Sequence, residues 1–256
     1  MSKDLIKEQY NFADFTTTHY RFIIQQAKKN YRFSSYGNFE KGSKFVLCRH
    51  DVDISPQRAL DLAIIENEEG VSSTYFWHMH SEYYNLFEKE IFDIIKKITN
   101  LGHGFGIHFD SHFYDIKTQQ QIEEYLSMEK NILENMFGVK IEVFSFHNTN
   151  PFVMGCKNWE YAGLINTYAS YFQDQVTYCS DSNGYWRFKR MADIVEQAEA
   201  DCLQLLTHPE WWQNEIMSPW QKIQRSVNSR GEKIKTNYCK YLKAAGMKNI
   251  DYDGEV

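Results

Sequence analysis

Apolar residues along the chain gather in short runs, separated by longer stretches in which they recur every three or four positions. That alternation is the signature of strands and amphipathic helices arranged as parallel βαβ units. A helix predicted over 16–30 comes first. The run KFVLCRHD then leads into a helix over 56–69, with Ser55 as its N-cap, Pro56 at its first position and Gly70 as its stop. The pattern repeats as STYFW with a helix over 86–100, GFGIHF with a helix over 118–137, and VFSF with a mixed stretch from Gly155. Later come strands at INTYA and YWRF, a short helix over 191–198, the strand LQLLTH and a long polar helix over 219–245. Six or seven such units suit an α/β barrel better than an open sheet.

Four prolines and thirteen glycines are dispersed, and no repeat or low-complexity linker divides the chain. The expectation is a single domain over 1–256, with an N-terminal helical extension at 1–40 and a C-terminal helix at 216–256 included in it. With 43% apolar residues in 256, the chain can build a core without a disulfide or a metal. The net charge of −6 argues against a nucleic-acid binder, whose affinity comes largely from Lys and Arg on phosphates. No apolar run reaches the length of a membrane span, and the start MSKDLIKEQYNFADF lacks the features of a secretory signal, so a cytoplasmic location is expected. Five cysteines, an odd number without paired spacing, fit a reducing compartment. The 16% aromatic content suits sugar-stacking surfaces and an ordinary large core equally.

Barrels place their chemistry where strands end, and the exceptional residues lie there. In HDVD, strand alternation puts Asp51 and Asp53 on one side, so one carboxylate can bind a cation while the other stays free as a base. The bland alternative is a solvated strand end entering a turn. In HFDSH, His108 and His112 are four apart, a spacing that brings two imidazoles to one face of a helical turn. Nine histidines produce such a pair by chance, but this one follows a barrel strand flanked by Gly102, Gly104 and Gly106. LTHPEWW closes the last strand with His208, able to donate a proton near neutral pH. The competing reading is a core histidine bonded to backbone. Their conjunction on one barrel face favours chemistry. His78 and His80 in FWHMH line the pocket without being assigned as ligands, and Glu123, Glu124 and Glu129 read as a solvated helix face.

These motifs resemble the polysaccharide deacetylases with the NodB homology domain, carbohydrate esterase family 4, in the branch whose first motif is HDVD. The resemblance runs from about Phe45 to Trp212. It implies an incomplete (β/α)7-type barrel of parallel strands, Asp51 as the base, and a divalent metal on Asp53, His108 and His112. Zinc is the first choice for that metal, with iron, cobalt and nickel as the others. Where the family's third motif has an arginine, FSFHNTNP has His147, leaving Arg49 and Arg187 as candidates for the arginine's work. The fourth motif resembles SDSNGYWR and nominates Asp181 and Trp186; the fifth resembles LQLLTH and makes His208 the acid. Trp211 and Trp212 beyond it either stack on a sugar or pack the final loop.

The implied reaction is hydrolytic N-deacetylation of an acetamido sugar. A cytoplasmic location points further to a nucleotide-linked or lipid-linked sugar precursor in surface-glycan biosynthesis. Two rivals are a metal-dependent amidohydrolase on a small non-sugar amide and a catalytically silent glycan-binding barrel.

Overall fold

The computed structural model describes residues 9–250; the ends of the expected terminal extensions, 1–8 and 251–256, lie outside the described residues. In chain order the elements are a 3-10 turn at Phe12–Phe15, α1 Thr17–Asn30, β1 Arg32–Phe33, β2 Phe45–Val52, α2 Pro56–Glu68, β3 Thr74–Trp77, α3 Lys89–Asn100, β4 Gly104–Asp110, α4 Gln119–Phe137 and β5 Val143–His147. They continue with α5 Pro151–Met154, β6 Glu160–Tyr161, β7 Leu164–Asn166, α6 Ser170–Gln175, β8 Thr177–Ser180, α7 Met191–Gln197, β9 Cys202–Thr207, a 3-10 turn at Pro209–Trp211 and α8 Pro219–Ala244. The sheet order is β6-β7-β5-β4-β3-β2-β9-β8, with β1 beside β2. Every pairing is parallel except β6 with β7. Among the described residues the end strands β6 and β8 do not pair, so the barrel is incomplete.

The sheet curls tightly enough for Arg49 of β2 to reach Thr167, just past β7. Strand alternation then sorts side chains between the barrel interior and the helical layer. On β2, Phe45 and Leu47 point inward to a small core with Tyr36, Phe76 and Phe172. Val46 and Cys48 point outward to helices α1 and α7, and Val52 joins the outer core of α3 and α4. All eight residues of β2 are buried, as expected of a strand covered on both faces. The interior has little spare room at β4: a Cβ on Gly106 would lie 2.5 Å from the Phe76 ring. That close approach is what the glycine permits.

Helix boundaries follow local chemistry. Ser55 caps α2 through the Arg58 N–H with Pro56 at its first position, and Thr118 forms a capping box with Gln121 at the start of α4. One expected strand is absent. YWRF does not extend the sheet; a turn closed by Gly184 N donating to Asp181 O at 3.0 Å, with Gly184 at φ 76°, follows β8. Trp186 instead stacks on Phe15 and donates its indole N–H to Asp14, so burial with a satisfied donor outweighs β-propensity. The INTYA run is strand only over β7, which forms a hairpin with β6 through Ala162 and Gly163, both at positive φ. Glu129, expected on a solvated face, is fully buried and lies 3.1 Å from His80 Nε2.

Candidate active site

One parity rule builds the site. Residues in phase with Asp51 on neighbouring strands point into the barrel, and the strand register stacks them in adjacent columns. Past the ends of β2 and β3 the phase reaches Asp53 and His78; on β4 it selects His108, on β5 Ser145 and His147, and past β9 His208. Five strand ends thus converge on one mouth.

At its centre, Asp53 Oδ1 lies 3.1 Å from His108 Nε2 and 3.4 Å from His147 Nδ1, and those two nitrogens are 3.1 Å apart. The imidazoles face the carboxylate closely, yet Asp53 Oδ1 receives no hydrogen bond of proper geometry and is buried. His78 adds a second such atom: Nε2 is buried and without a hydrogen-bond partner, and its ring lies 4.2 Å from that of His147. Donor atoms of Asp53, His78 and His147 fall within 4.8 Å of one another. Oxygen and nitrogen donors separated by about 3 Å match neighbouring corners of a coordination shell with bonds of about 2.0–2.2 Å. The set therefore fits a divalent transition metal with imidazole and carboxylate preference. His108 is oriented from behind, its Nδ1 lying 2.7 Å from Ser145 Oγ, which frees Nε2 for the cavity.

His112 takes another place. It lines the same cavity, but its Nε2 lies 2.7 Å from the carbonyl oxygen of Asn148. β4 ends at Asp110, and the following turn carries His112 out of the strand's inward phase, so the atoms drawn around Asp53 come from three different strand ends.

Asp51 is buried and held by Arg49, whose Nε and Nη2 donate to Oδ1 and Oδ2 at 2.8 and 2.6 Å. Burial alone would raise the carboxyl's pKa; Arg49 and His108 reverse that and hold it below its ordinary value. Arg49, one of the two arginines considered from the sequence, thus lies directly against Asp51. Arg187, the other candidate, lies against Phe188 at a distance of 5.4 Å, and Phe188 is exposed. Asp53 is likewise opposed by burial but held well down by His108 and His147.

His208 closes the site from β9. Its backbone N–H donates to Asp181 Oδ2 at 2.8 Å and its Nδ1 lies 2.6 Å from Oδ1, while Trp212 donates to Oδ2 at 2.9 Å. Burial would lower this imidazole, but the charge and hydrogen bond of Asp181 prevail and push it up to about 10. Glu210 is buried beside it, and burial with the repulsion of Asp53 raises its carboxyl well above the ordinary value. Trp186 stacks on Phe15 away from the cavity lining, and Trp211 lines the cavity.

Two adjoining cavities, of about 550 and 560 Å³, share Asp53, His147, Asn148 and His208. One extends toward Tyr168 and Tyr178, the other toward Tyr83, Phe113 and Trp211. Cavities of this size bind small molecules, and both are lined largely by polar and titratable side chains with a few aromatic ones.

No family model matches the chain, and no curated protein matches it. Solved structures do. The carbohydrate esterase family 4 domain of a multidomain xylanase from the hindgut metagenome of Trinervitermes trinervoides is 14% identical, covering 82% of this chain and 96% of that one at a TM-score of 0.42. A family 4 carbohydrate esterase from Bacillus anthracis is 14% identical over 83% and 86% of the two chains, TM-score 0.44. A family 4 acetyl xylan esterase from Clostridium thermocellum, in complex with a cobalt ion, is 16% identical over 73% and 84%, TM-score 0.41. These neighbours are family 4 carbohydrate esterases.

Proposed function

We propose that the protein is a metal-dependent hydrolase that removes the N-acyl group of an acetamido sugar, in a nucleotide-linked or lipid-linked precursor of a surface glycan. The observation that carries this reading is the close-set trio of Asp53 Oδ1, His108 Nε2 and His147 Nδ1, flanked by an arginine-clamped aspartate on one side and an aspartate-anchored histidine on the other. Asp53, His108 and His147 would hold the ion, with zinc first among iron, cobalt and nickel. Such an ion polarises a carbonyl and lowers the pKa of water from about 15.7 toward 7.

The remaining work falls to the chain's own residues. Asp51, kept ionised by Arg49, takes the proton of the attacking water. His208, kept charged by Asp181, passes its proton to the departing amine, which would otherwise have to leave as an anion. Tyr83, Phe113 and Trp211 offer apolar faces to the sugar. The five cysteines are free, which suits a reducing compartment and an intracellular precursor; no described helix is long and apolar enough to cross a membrane.

The test is release of acetate from nucleotide-linked N-acetyl sugars by zinc- or cobalt-reconstituted protein, with a chelated control. Metal-dependent release supports the reading. Turnover of simple amides alone would move the assignment to a small-molecule amidohydrolase, and loaded protein inert on these and on lipid-linked N-acetyl sugars as well would end it.

A further inference from the structure

Among the described residues, eight buried side-chain polar atoms make no hydrogen bond, and four of them line a single cavity, the one that extends toward Tyr83, Phe113 and Trp211. They are Asp53 Oδ1, His78 Nε2, Glu210 Oε2 and Trp211 Nε1. Buried donors and acceptors are otherwise nearly always paired, so several orphans on one cavity wall mark a place where a ligand completes the bonding. The first two lie beside the ion site described above. Glu210 Oε2 and Trp211 Nε1 have no part in it.

The local fold explains why these two atoms are left over. Pro209–Trp211 form a 3-10 turn just past β9, and the backbone of that turn is tied in: Trp211 N–H donates to His208 O and Trp212 N–H to Pro209 O, each at 3.0 Å. Glu210 O accepts from Gln213 Nε2 at 3.0 Å, and Trp211 O accepts from the buried Lys222 Nζ. The Trp211 ring is confined as well, since a Cβ on Gly184 would lie 3.1 Å from its Cδ2 and Cε3 atoms. A pinned turn thus holds two unpaired polar atoms at the cavity wall, on consecutive residues that are 1% and 8% exposed. Such preorganisation favours binding, because little ordering remains to be done when a ligand arrives.

The surroundings select the ligand. The indole N–H only donates, so its partner must accept, and a hydroxyl can pair with the Glu210 carboxyl in either protonation state. A phosphate or carboxylate would suit the indole but would share the cavity with Asp53, Glu82 and Asp110. No lysine or arginine lines this cavity among the described residues, and each of its four histidines already lies within 3.5 Å of a carboxylate. A cation would leave the indole N–H unpaired. Hydroxyl groups, which are neutral and both donate and accept, meet every requirement. We infer that Glu210 and Trp211 form a subsite for the hydroxyl groups of the substrate's sugar ring, Glu210 pairing with one hydroxyl and the indole N–H donating to the oxygen of another. The inference rests on the carbohydrate reading above and adds the groups by which the ring is told from a simple amide. The phosphates of a linked precursor then lie outside this cavity.

The experiment is a ligand-detected NMR titration of the zinc-loaded full chain, which reports binding and acetate release in one sample. The probes are N-acetylglucosamine, N-acetylgalactosamine and N-acetylmannosamine, each nucleotide-linked and lipid-linked, and the monodeoxy analogues of whichever binds best. That sugar is expected to bind E210A and W211F about tenfold or more weakly than wild type, with metal content and melting temperature unchanged. One of its deoxy analogues should bind wild type and E210A alike, since each lacks one half of the same hydrogen bond. Sugar binding at wild-type strength in both variants would overturn the subsite and leave the deacylase reading untouched. If every deoxy analogue loses as much affinity with E210A as with wild type, Glu210 touches no hydroxyl and the inference fails too. Binding that depends on Glu210 without acetate release would end the reaction assigned above and support the subsite, whereas no binding of any sugar would end both.

Discussion

Arg49 grips Asp51 from two positions back on the same strand, with Nε and Nη2 donating to the two carboxylate oxygens. Both residues are buried, so the pair is a low-dielectric contact in which removal of one partner strands the other's charge. Arg49→Leu should destabilise the fold by about 3–5 kcal/mol, read by denaturant unfolding. Arg49→Lys keeps the charge but loses the fork. Because Arg49 holds the Asp51 carboxyl down, its loss raises that pKa, and the acid limb of kcat/KM should move to higher pH in Arg49→Lys. An unmoved limb in folded, metal-loaded protein would separate Asp51 from the base step.

Metal content distinguishes the spacing-based set, which holds His112, from the sets that geometry suggests, which hold His147. Asp53→Ala and His147→Ala should lose about one equivalent of bound zinc or cobalt, while His112→Ala, whose imidazole sits on the Asn148 carbonyl, should retain it. Elemental mass spectrometry on tag-free protein reads the outcome. Loss in His112→Ala with retention in His147→Ala would restore the spacing-based set of Asp53, His108 and His112.

Much of this site was legible because strand parity is written in the sequence. Asp51 and Asp53 read as neighbours on one side, and His208 read as the end of the last strand. The spacing of four singled out His112, whose Nε2 lies against the Asn148 carbonyl, while His78 read as lining the pocket and His147 as standing in the third motif. Only the register of β3, β4 and β5 decides which imidazoles meet, and register is a long-range property. Arg49 and Arg187 stood as equal candidates in the sequence; the structure puts Arg49 against Asp51 two positions along the same strand, and Arg187 against Phe188. The YWRF strand failed for a related reason: Phe15 and Asp14, far away in sequence, supply Trp186 with a better partner than the sheet does. Glu129 misled because its helix position looks polar, whereas His80 and Tyr114 meet it from inside.

The Asp181–His208 pair makes a prediction about the basic limb. His208→Ala should lower turnover by about 10²–10⁴-fold while leaving metal content intact, since the residue supplies a proton and not a donor to the ion. Asp181 is what raises the imidazole. Asp181→Asn therefore lowers the His208 pKa and should shift the basic limb of kcat/KM to lower pH. A shift in neither limb, with turnover preserved in His208→Ala, would remove the pair from the reaction.

Glu66 sets a pH dependence of stability away from the site. It is fully buried behind β2, where Tyr20 and Tyr75 each donate to it at 2.6 Å, His50 Nε2 lies 2.8 Å away, and Ser73 completes the set. Burial would raise its carboxyl, but His50, His103 and the hydroxyl donors pull it down to about 2. A carboxyl depressed in the folded state stabilises fully above its unfolded pKa, near 4.3, and that contribution disappears as pH falls through the folded value. The difference corresponds to about 3 kcal/mol. Urea unfolding between about pH 5 and 2 should therefore show a steep fall in stability. Glu66→Gln should start less stable near neutral pH, because His50 then loses its carboxylate partner, and its curve should be flatter over that window. A wild-type profile as flat as that of the variant would mean that other carboxylates, and not this buried cluster, govern the acid limit.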